Sequence, residues 1–340
     1  MNEVSYRVGL EKNQDETREQ FAVANMLSYY EKHKPHCQMV YRDFLKNRKK
    51  KFSDYPSKVT VRQFKKLVGQ DAILVCTATE IENYVYLSQL SQAKKILTYW
   101  VSGVEFHVCH YDNSTTLVHI HQKSTGANYS RIAVDKAFSV FRPKAVVLLG
   151  ICYGMDEKEQ KLTEVCVANR VDCFRLDIRD KKIEPAFEAL YYPNKPLIST
   201  IQEAMAWYSP PKVGQGSSPE TISIRFGRFV SVNSLISNFT VKADIVRACG
   251  IPKPIAGEME ACGALSTEKL NPPHPTTNYL RAKWLVIKSV SDWGVLKNGL
   301  SSDKSVNEEI KSSVQLLAMR NTWDLFSFML DRELLTKGGL

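Results

Sequence analysis

The chain has 340 residues, 44% of them hydrophobic and 24% charged, which allows a core of ordinary size and excludes composition-driven disorder. Its 46 basic and 36 acidic side chains give a formal net charge of +10, a balance suited to nucleic acid, an acidic membrane surface or an anionic small molecule. No run of about 18 apolar residues occurs, so no membrane-spanning helix is expected.

In chain order, the opening MNEVSYRVGLEKNQDETREQ is polar and carries acids, so no signal peptide is expected. Residues 1–68 read as a small helical N-terminal module: Phe21, Ala24, Met26, Leu27 and Tyr30 recur at helical spacing, then Met39, Tyr41, Phe44 and Leu45. Asp54-Tyr55-Pro56-Ser57 breaks the pattern before a short helix over 61–68. The basic run Lys46 to Lys51 reads as a solvated helix end.

From Asp71 the texture changes. Residues 71–76 form a wholly apolar run, as in a strand buried on both faces. A helix is predicted over 80–100, an antiparallel pair over 104–110 and 116–121, and a helix from the Gly126 turn to about Phe141. A second apolar strand over 145–149 runs into Gly150-Ile151-Cys152-Tyr153-Gly154. Further strands are predicted over 164–171, 222–232 and 284–290, and further helices over 196–208, 241–249, 259–270 and 306–335, with a loop over 209–219. Strands alternating with helices predict an α/β domain over 69–340, a three-layer sandwich on a mixed, largely parallel sheet. The eight cysteines show no CxxC and no metal-ligand spacing, so free thiols, a reducing cytoplasmic setting and no metal are expected.

In such a sheet, ligands bind at the carboxyl ends of strands. Four segments fall there with polar groups in apolar surroundings: Thr77 to Glu82, Gly150 to Gly154, Gly257 to Glu260, and Ser289 to Gly294. Three of them bring carboxylates. These types suit cleavage of a purine N-glycosidic bond. A neutral acid (Asp292) protonates the departing base, a carboxylate (Glu260) holds the ribose and tolerates its growing positive charge, and another (Glu82) orients water. Met259, between Glu258 and Glu260, suits the apolar face of a ribose.

These motifs resemble the nucleoside phosphorylase and nucleosidase superfamily over about residues 71–335. Gly257-Glu258-Met259-Glu260-Ala261 is similar to a Val-Glu-Met-Glu-Ala signature, and Val286 to Asp292 to Val-Val-Arg-Ala-Ile-Ser-Asp. Thr77 to Glu82, Leu149 to Gly154 and Phe229 to Ile236 resemble its first turn, its central loop and the stretch flanking its base pocket. The resemblance implies Asp292 as acid, Ser291 as its orienting neighbour, Glu260 and Met259 at the ribose, Glu82 at the water, and Leu235 and Ile236 beside the base. An aspartate at 292 goes with 6-aminopurines, so adenine is the expected base. Asn233 stands where the family carries an aspartate, and Tyr153 where it carries a small residue.

The departures from phosphorylases are informative. Leu148 and Ile151 occupy positions where those enzymes bind phosphate with an arginine and a serine, and Glu82 replaces an arginine. Hydrolysis is therefore expected over phosphorolysis. The basic charge and the extra N-terminal region suit a nucleotide, with Arg170, Arg225, Arg228 and Lys288 as candidate phosphate contacts. By fold-level analogy the chain resembles bacterial antiviral effectors that hydrolyse ATP to adenine and ribose triphosphate. Salvage of methylthioadenosine or purine nucleosides, and nucleotide sensing without turnover, are the alternatives. No cofactor is expected. Expected partners are the adenine nucleotide or nucleoside substrate, a second copy of the chain, and a regulatory protein at the N-terminal module, but neither membrane nor nucleic acid.

The bland readings are specific as well. Asp292 as a cap, Glu260 as an exposed helical acid and Glu80 in place of Glu82 are each compatible with the sequence. His107, His110, His119 and His121 alternate along two strands without an accompanying carboxylate or thiol, and read as structural.

Overall fold

The protein is represented by a computed structural model that describes residues 3–52, 56–179, 182–209, 220–234, 236, 239–268, 270, 283–294, 300–301 and 303–336, with side chains outside 3–16 and 178–183. In chain order the elements are α1 (Glu3–Lys32), α2 (Lys34–Asn47), β1 (Ser57–Lys58), α3 (Val61–Val68), β2 (Ile73–Thr77), α4 (Glu80–Ala93), β3 (Leu97–Val101), β4 (Val104–His110), β5 (Thr116–His121), α5 (Ala127–Val140) and β6 (Ala145–Gly154). They continue with β7 (Val165–Arg179), β8 (Lys182–Tyr191), α6 (Lys195–Ala204), β9 (Ile224–Val232), α7 (Phe239–Cys249), β10 (Ala256–Glu258), α8 (Ala261–Leu265), β11 (Lys283–Asp292) and α9 (Lys304–Asp331).

The strands join in one mixed sheet, but it does not lie flat as the middle layer of a sandwich. The order runs β1-β3-β4-β5-β2-β6-β10-β9-β7-β11, and β11 pairs back onto β6. Strands β6, β10, β9, β7 and β11 thus close a ring, a barrel with β2 to β5 extending from it. This closed ring replaces the expected three-layer sandwich, while the mixed α/β character stands. The closure depends on β10, whose three residues bridge β6 in antiparallel and β9 in parallel register. So short a strand has no periodicity to reveal it. The β7–β8 hairpin is likewise absent from the sequence reading, because half-exposed residues of β8 leave no apolar run.

Local chemistry accounts for most element ends. Thr60 with Gln63, and Thr79 with Glu82, form capping boxes that start α3 and α4. Helix α4 stops at Ala93, and the β-branched and aromatic run Leu97–Val101 leaves it to pair with β4. Of the segment predicted as a helix over 259–270, only Ala261–Leu265 is α-helical among the described residues.

Strands β2, β6 and β11 run parallel and are almost wholly buried, as their continuous apolar runs require. Buried residues of α1 and α2 (Met26, Tyr30, Val40, Phe44) join the same apolar cluster as these strands and α9. A smaller cluster of Tyr153, Met155, Phe174, Val230, Val232, Ile236, Val241 and Ile245 forms at the carboxyl end of β9, with Met259 packed against it. A disulfide joins Cys173 of β7 to Cys262 of α8, with Cα atoms 5.5 Å apart, correcting the expectation of free thiols throughout. The two cysteines are 89 residues apart, and only the ring closure brings them together. No helix among the described residues is long and apolar enough to cross a membrane. The predicted loop over 209–219 lies almost entirely outside the described residues.

Candidate active site

Parallel pairing of β6 and β11 sets Gly150 beside Lys288 and Tyr153 beside Asp292. Around this seam the chain gathers three buried carboxylates, one buried lysine and one partly exposed aspartate. The lysine organises the group. Lys288 Nζ lies 3.1 Å from Glu260 Oε2 and 3.8 Å from Glu82 Oε1, and all three residues are buried. Burial alone would push the Lys288 pKa down, but Glu260, Glu82 and Glu258 hold it above its ordinary value.

Glu82 is the third helical residue of α4, so the capping box aims its carboxylate back at the helix start. Its Oε2 accepts the amides of Ala78 at 2.6 Å and Thr79 at 2.9 Å, and its Oε1 the amide of Ile151 at 2.8 Å. A carboxylate has about four acceptor positions, so one remains, on Oε1 beside Gly150 and Lys288. Gly150 is there for space: a Cβ would lie 2.0 Å from Glu82 Oε1.

Glu260 accepts the Gly126 amide on Oε1 at 3.2 Å, besides the lysine on Oε2. Burial pushes its pKa up, but Lys288 and these amides bring the net shift below the ordinary glutamate value. Glu258 accepts the amides of Glu260 and Ala261 at 2.8 and 2.9 Å, which folds the chain tightly between β10 and α8. Burial, with the neighbouring Glu260 charge, pushes its pKa up to about 7. Three carboxylates face one ammonium, and a proton on Glu258 relieves the excess. A carboxyl raised in the folded state lends stability fully present below the unfolded value near 4.5 and lost as pH rises through about 7. Thermal melts at pH 5 and pH 7.5 are therefore expected to diverge less in Glu258→Gln than in the unsubstituted chain. Equal divergence would mean Glu258 does not carry the proton.

Asp292 ends β11. Its Oδ1 accepts the Gly294 amide at 2.7 Å, and Gly294 takes φ +72°, a conformation favouring glycine. Ser291 Oγ is 2.9 Å from Asp292 Oδ2 and 3.2 Å from the Cys152 carbonyl. A hydroxyl has one proton to give. It can donate to an ionised Asp292, or donate to Cys152 while accepting from a protonated Asp292, so Ser291 serves both states of the acid.

Of the residues singled out in the sequence, Glu82, Gly150, Glu258 and Glu260 meet around Lys288, while Ser291 and Asp292 sit further along the same strands. Met259 and Ile236 belong to the small apolar cluster nearby. Asn233 is exposed and accepts the Leu176 amide at 3.1 Å, a loop-bracing contact. Leu235 lies outside the described residues.

The candidate phosphate contacts are committed elsewhere. Arg170 and Arg228 both pair with buried Asp172, at 2.5 and 3.2 Å, and Arg225 pairs with Glu164 at 3.2 Å. Lys288, the fourth candidate, is paired with Glu260 and Glu82, and a lysine inside an otherwise apolar strand does signal a buried counter-charge. His119 bonds Thr77 at 2.9 Å and stacks on Tyr86, and burial pushes the His107 pKa down to about 4. No group of three or more histidines, cysteines or acids arranged to hold a metal occurs among the described residues.

This architecture has counterparts among solved structures. The chain aligns with a 5′-methylthioadenosine/S-adenosylhomocysteine nucleosidase of Helicobacter pylori at a TM-score of 0.55 and 16% identity, covering 78% of this chain and 99% of that one. Futalosine hydrolase of the same organism gives 0.55 and 15%, covering 77% and 98%. The chain therefore shares the fold of these two hydrolases, which agrees with the fold the motifs implied. In sequence, the chain is 23% identical over 237 residues to a death domain-containing ATP nucleosidase of Amphimedon queenslandica. The match takes in 64% of this chain and 42% of that protein's length. No family model matches.

Proposed function

We propose that this chain is an N-glycosidase that hydrolyses an adenine nucleotide or nucleoside, with ATP or AMP as the favoured substrate. The observation that carries the reading is the pairing of a proton-donating position, Asp292 with Ser291, with a buried Glu82–Lys288–Glu260 group at the carboxyl ends of β6 and β11. Water attacks C1′ from the Glu82 side, giving its proton to the remaining Oε1 position. The bond from C1′ to the base breaks, its electron pair flows into the purine, and Asp292 protonates the ring. Glu260 accepts from the ribose hydroxyls and offsets the positive charge of the oxocarbenium-like transition state.

The same group argues against phosphorolysis. A phosphate beside Gly150 would meet the Glu82 carboxylate, find the Ile151 amide already bonded, and face a lysine neutralised by two acids. The ATP nucleosidase relative supports a nucleotide substrate. A defence-effector role, action as a homo-oligomer and a regulatory partner at residues 1–68 extend the same reading.

Base release followed by chromatography from ATP, AMP, adenosine, methylthioadenosine and inosine tests it. Adenine release from ATP or AMP at a rate independent of added phosphate is expected. Activity only with phosphate, or only on inosine, would overturn it.

A further inference from the structure

The carboxyl of Asp292 is bonded by the amide of Gly294, and the other end of that peptide unit is the carbonyl of Trp293. Lys242 of α7 donates to this carbonyl at 3.0 Å and is 1% exposed. One peptide plane therefore lies between a buried ammonium and the carboxyl proposed as the acid. Its orientation sets the hydrogen bond to Oδ1, and the ammonium polarises its N–H toward Asp292.

The ammonium is itself held. Lys242 Nζ is 3.7 Å from Glu157 Oε2, in the turn after β6, and Glu157 is buried. Arg18 of α1 closes the row, reaching Glu157 Oε1 at 2.7 Å and Oε2 at 3.3 Å. Its guanidinium lies 4.7 Å over the ring of Phe239, the first residue of α7, and Lys242 Nζ lies 5.3 Å over the same ring. The charges acting on Lys242 come from Glu157 and Asp156 after β6, Arg18 on α1 and Asp292 on β11. Burial brings its pKa down to about 8, with Glu157 opposing and Arg18 assisting the fall.

We propose that Lys242 is a positioning residue for Asp292, acting through the 293–294 peptide, and that Arg18 tunes it through Glu157. The N-terminal helix is then part of the active-site apparatus, and whatever displaces α1 loosens the catalytic acid. The role of Asp292 rests on the proposed N-glycosidase; the wiring from Lys242 to its carboxyl does not.

The test uses the full chain with Lys242→Met and Arg18→Ala. Arg18 is about a third exposed, at the edge of a 410 Å³ cavity between α1 and α7, so its removal opens no sealed core. For Lys242→Met, kcat on the best adenine substrate is expected to fall roughly 10- to 100-fold with KM within a factor of about 3, as for an interaction felt only in the transition state. Losing the ammonium removes a positive charge that favours the Asp292 carboxylate, so the alkaline limb of the pH profile is expected to move up. Arg18→Ala is expected to lower kcat by roughly 3- to 10-fold, with a smaller displacement of that limb.

Carbon-13 NMR titration of the Asp292 carboxyl reads the wiring without turnover. An upward shift in Lys242→Met, with no adenine released by the unsubstituted chain, would keep the wiring and sink the enzyme reading. An unmoved Asp292 titration and unchanged kcat in folded Lys242→Met would overturn the positioning role. Should that variant not fold, an Arg18→Ala protein with unchanged kcat and unmoved Asp292 titration overturns the proposal.

Discussion

Asp292→Asn is expected to cut adenine release by roughly 100- to 10,000-fold, the contribution of a placed general acid, while leaving the fold intact. The variant tests proton donation rather than architecture. Asparagine keeps an oxygen to accept the Gly294 amide. Its amide nitrogen can donate to Ser291 Oγ, which can still donate to the Cys152 carbonyl. What it lacks is an acidic proton, so negative charge building up on the departing adenine goes undischharged. Substrate affinity is expected to change little. Matched circular dichroism and thermal melts should accompany the rate measurement. A folded variant within tenfold of the unsubstituted rate would remove Asp292 from the mechanism and favour its bland role as a strand-end brace.

Lys288→Met is expected to have the largest effect on stability, roughly 3–5 kcal/mol, because it breaks a buried ionic group by deleting one sign. Methionine fills the volume but leaves Glu82 and Glu260 buried without their counter-charge, alongside Glu258. In a chain of this size such a loss lowers the thermal midpoint by on the order of 10 °C. Adding Glu82→Gln to Lys288→Met should restore part of it, since the amide oxygen still accepts the Ala78 and Thr79 bonds without a charge and only the Ile151 bond is given up. A single variant that melts within a degree or two of the unsubstituted chain would show that the carboxylates shed their charge by taking protons.

The difference between these two experiments reflects the division of labour in the site. Asp292 is partly exposed and has a partner for either protonation state, as a group that trades a proton requires. The Glu82–Lys288–Glu260 group is buried and held by backbone amides, so in the proposed reaction it keeps its geometry while water and the ribose approach it. Helix α1 enters this division through Arg18, which the spacing of its apolar residues could not reveal.

Much of the candidate site was legible in the sequence. The Gly-Glu-Met-Glu-Ala and Ser-Val-Ser-Asp runs stand at strand ends, where a carboxylate following apolar residues marks a candidate for chemistry. The apolar runs over 71–76 and 145–149 identified β2 and the start of β6 as buried strands, because a strand covered on both faces needs no polar residues to alternate. The predicted helix start at Glu80 agrees with α4, where Thr79 and Glu82 form the capping box.

Three things were decided only by tertiary structure. Ring closure through β10 turned an expected open sandwich into a barrel, because three residues carry no period while their pairing partners lie far away in the chain. The partners of charge were equally hidden: Lys288, expected at a phosphate, is paired with two glutamates, and Arg170 and Arg228 share Asp172. The third is the joining of Cys173 to Cys262, and of Arg18 and Lys242 through Glu157. Local sequence determines which segments are helix, strand and cap, since those interactions span a few residues. Which cation neutralises which acid depends on distances of a few ångströms between distant segments, and folding alone sets them.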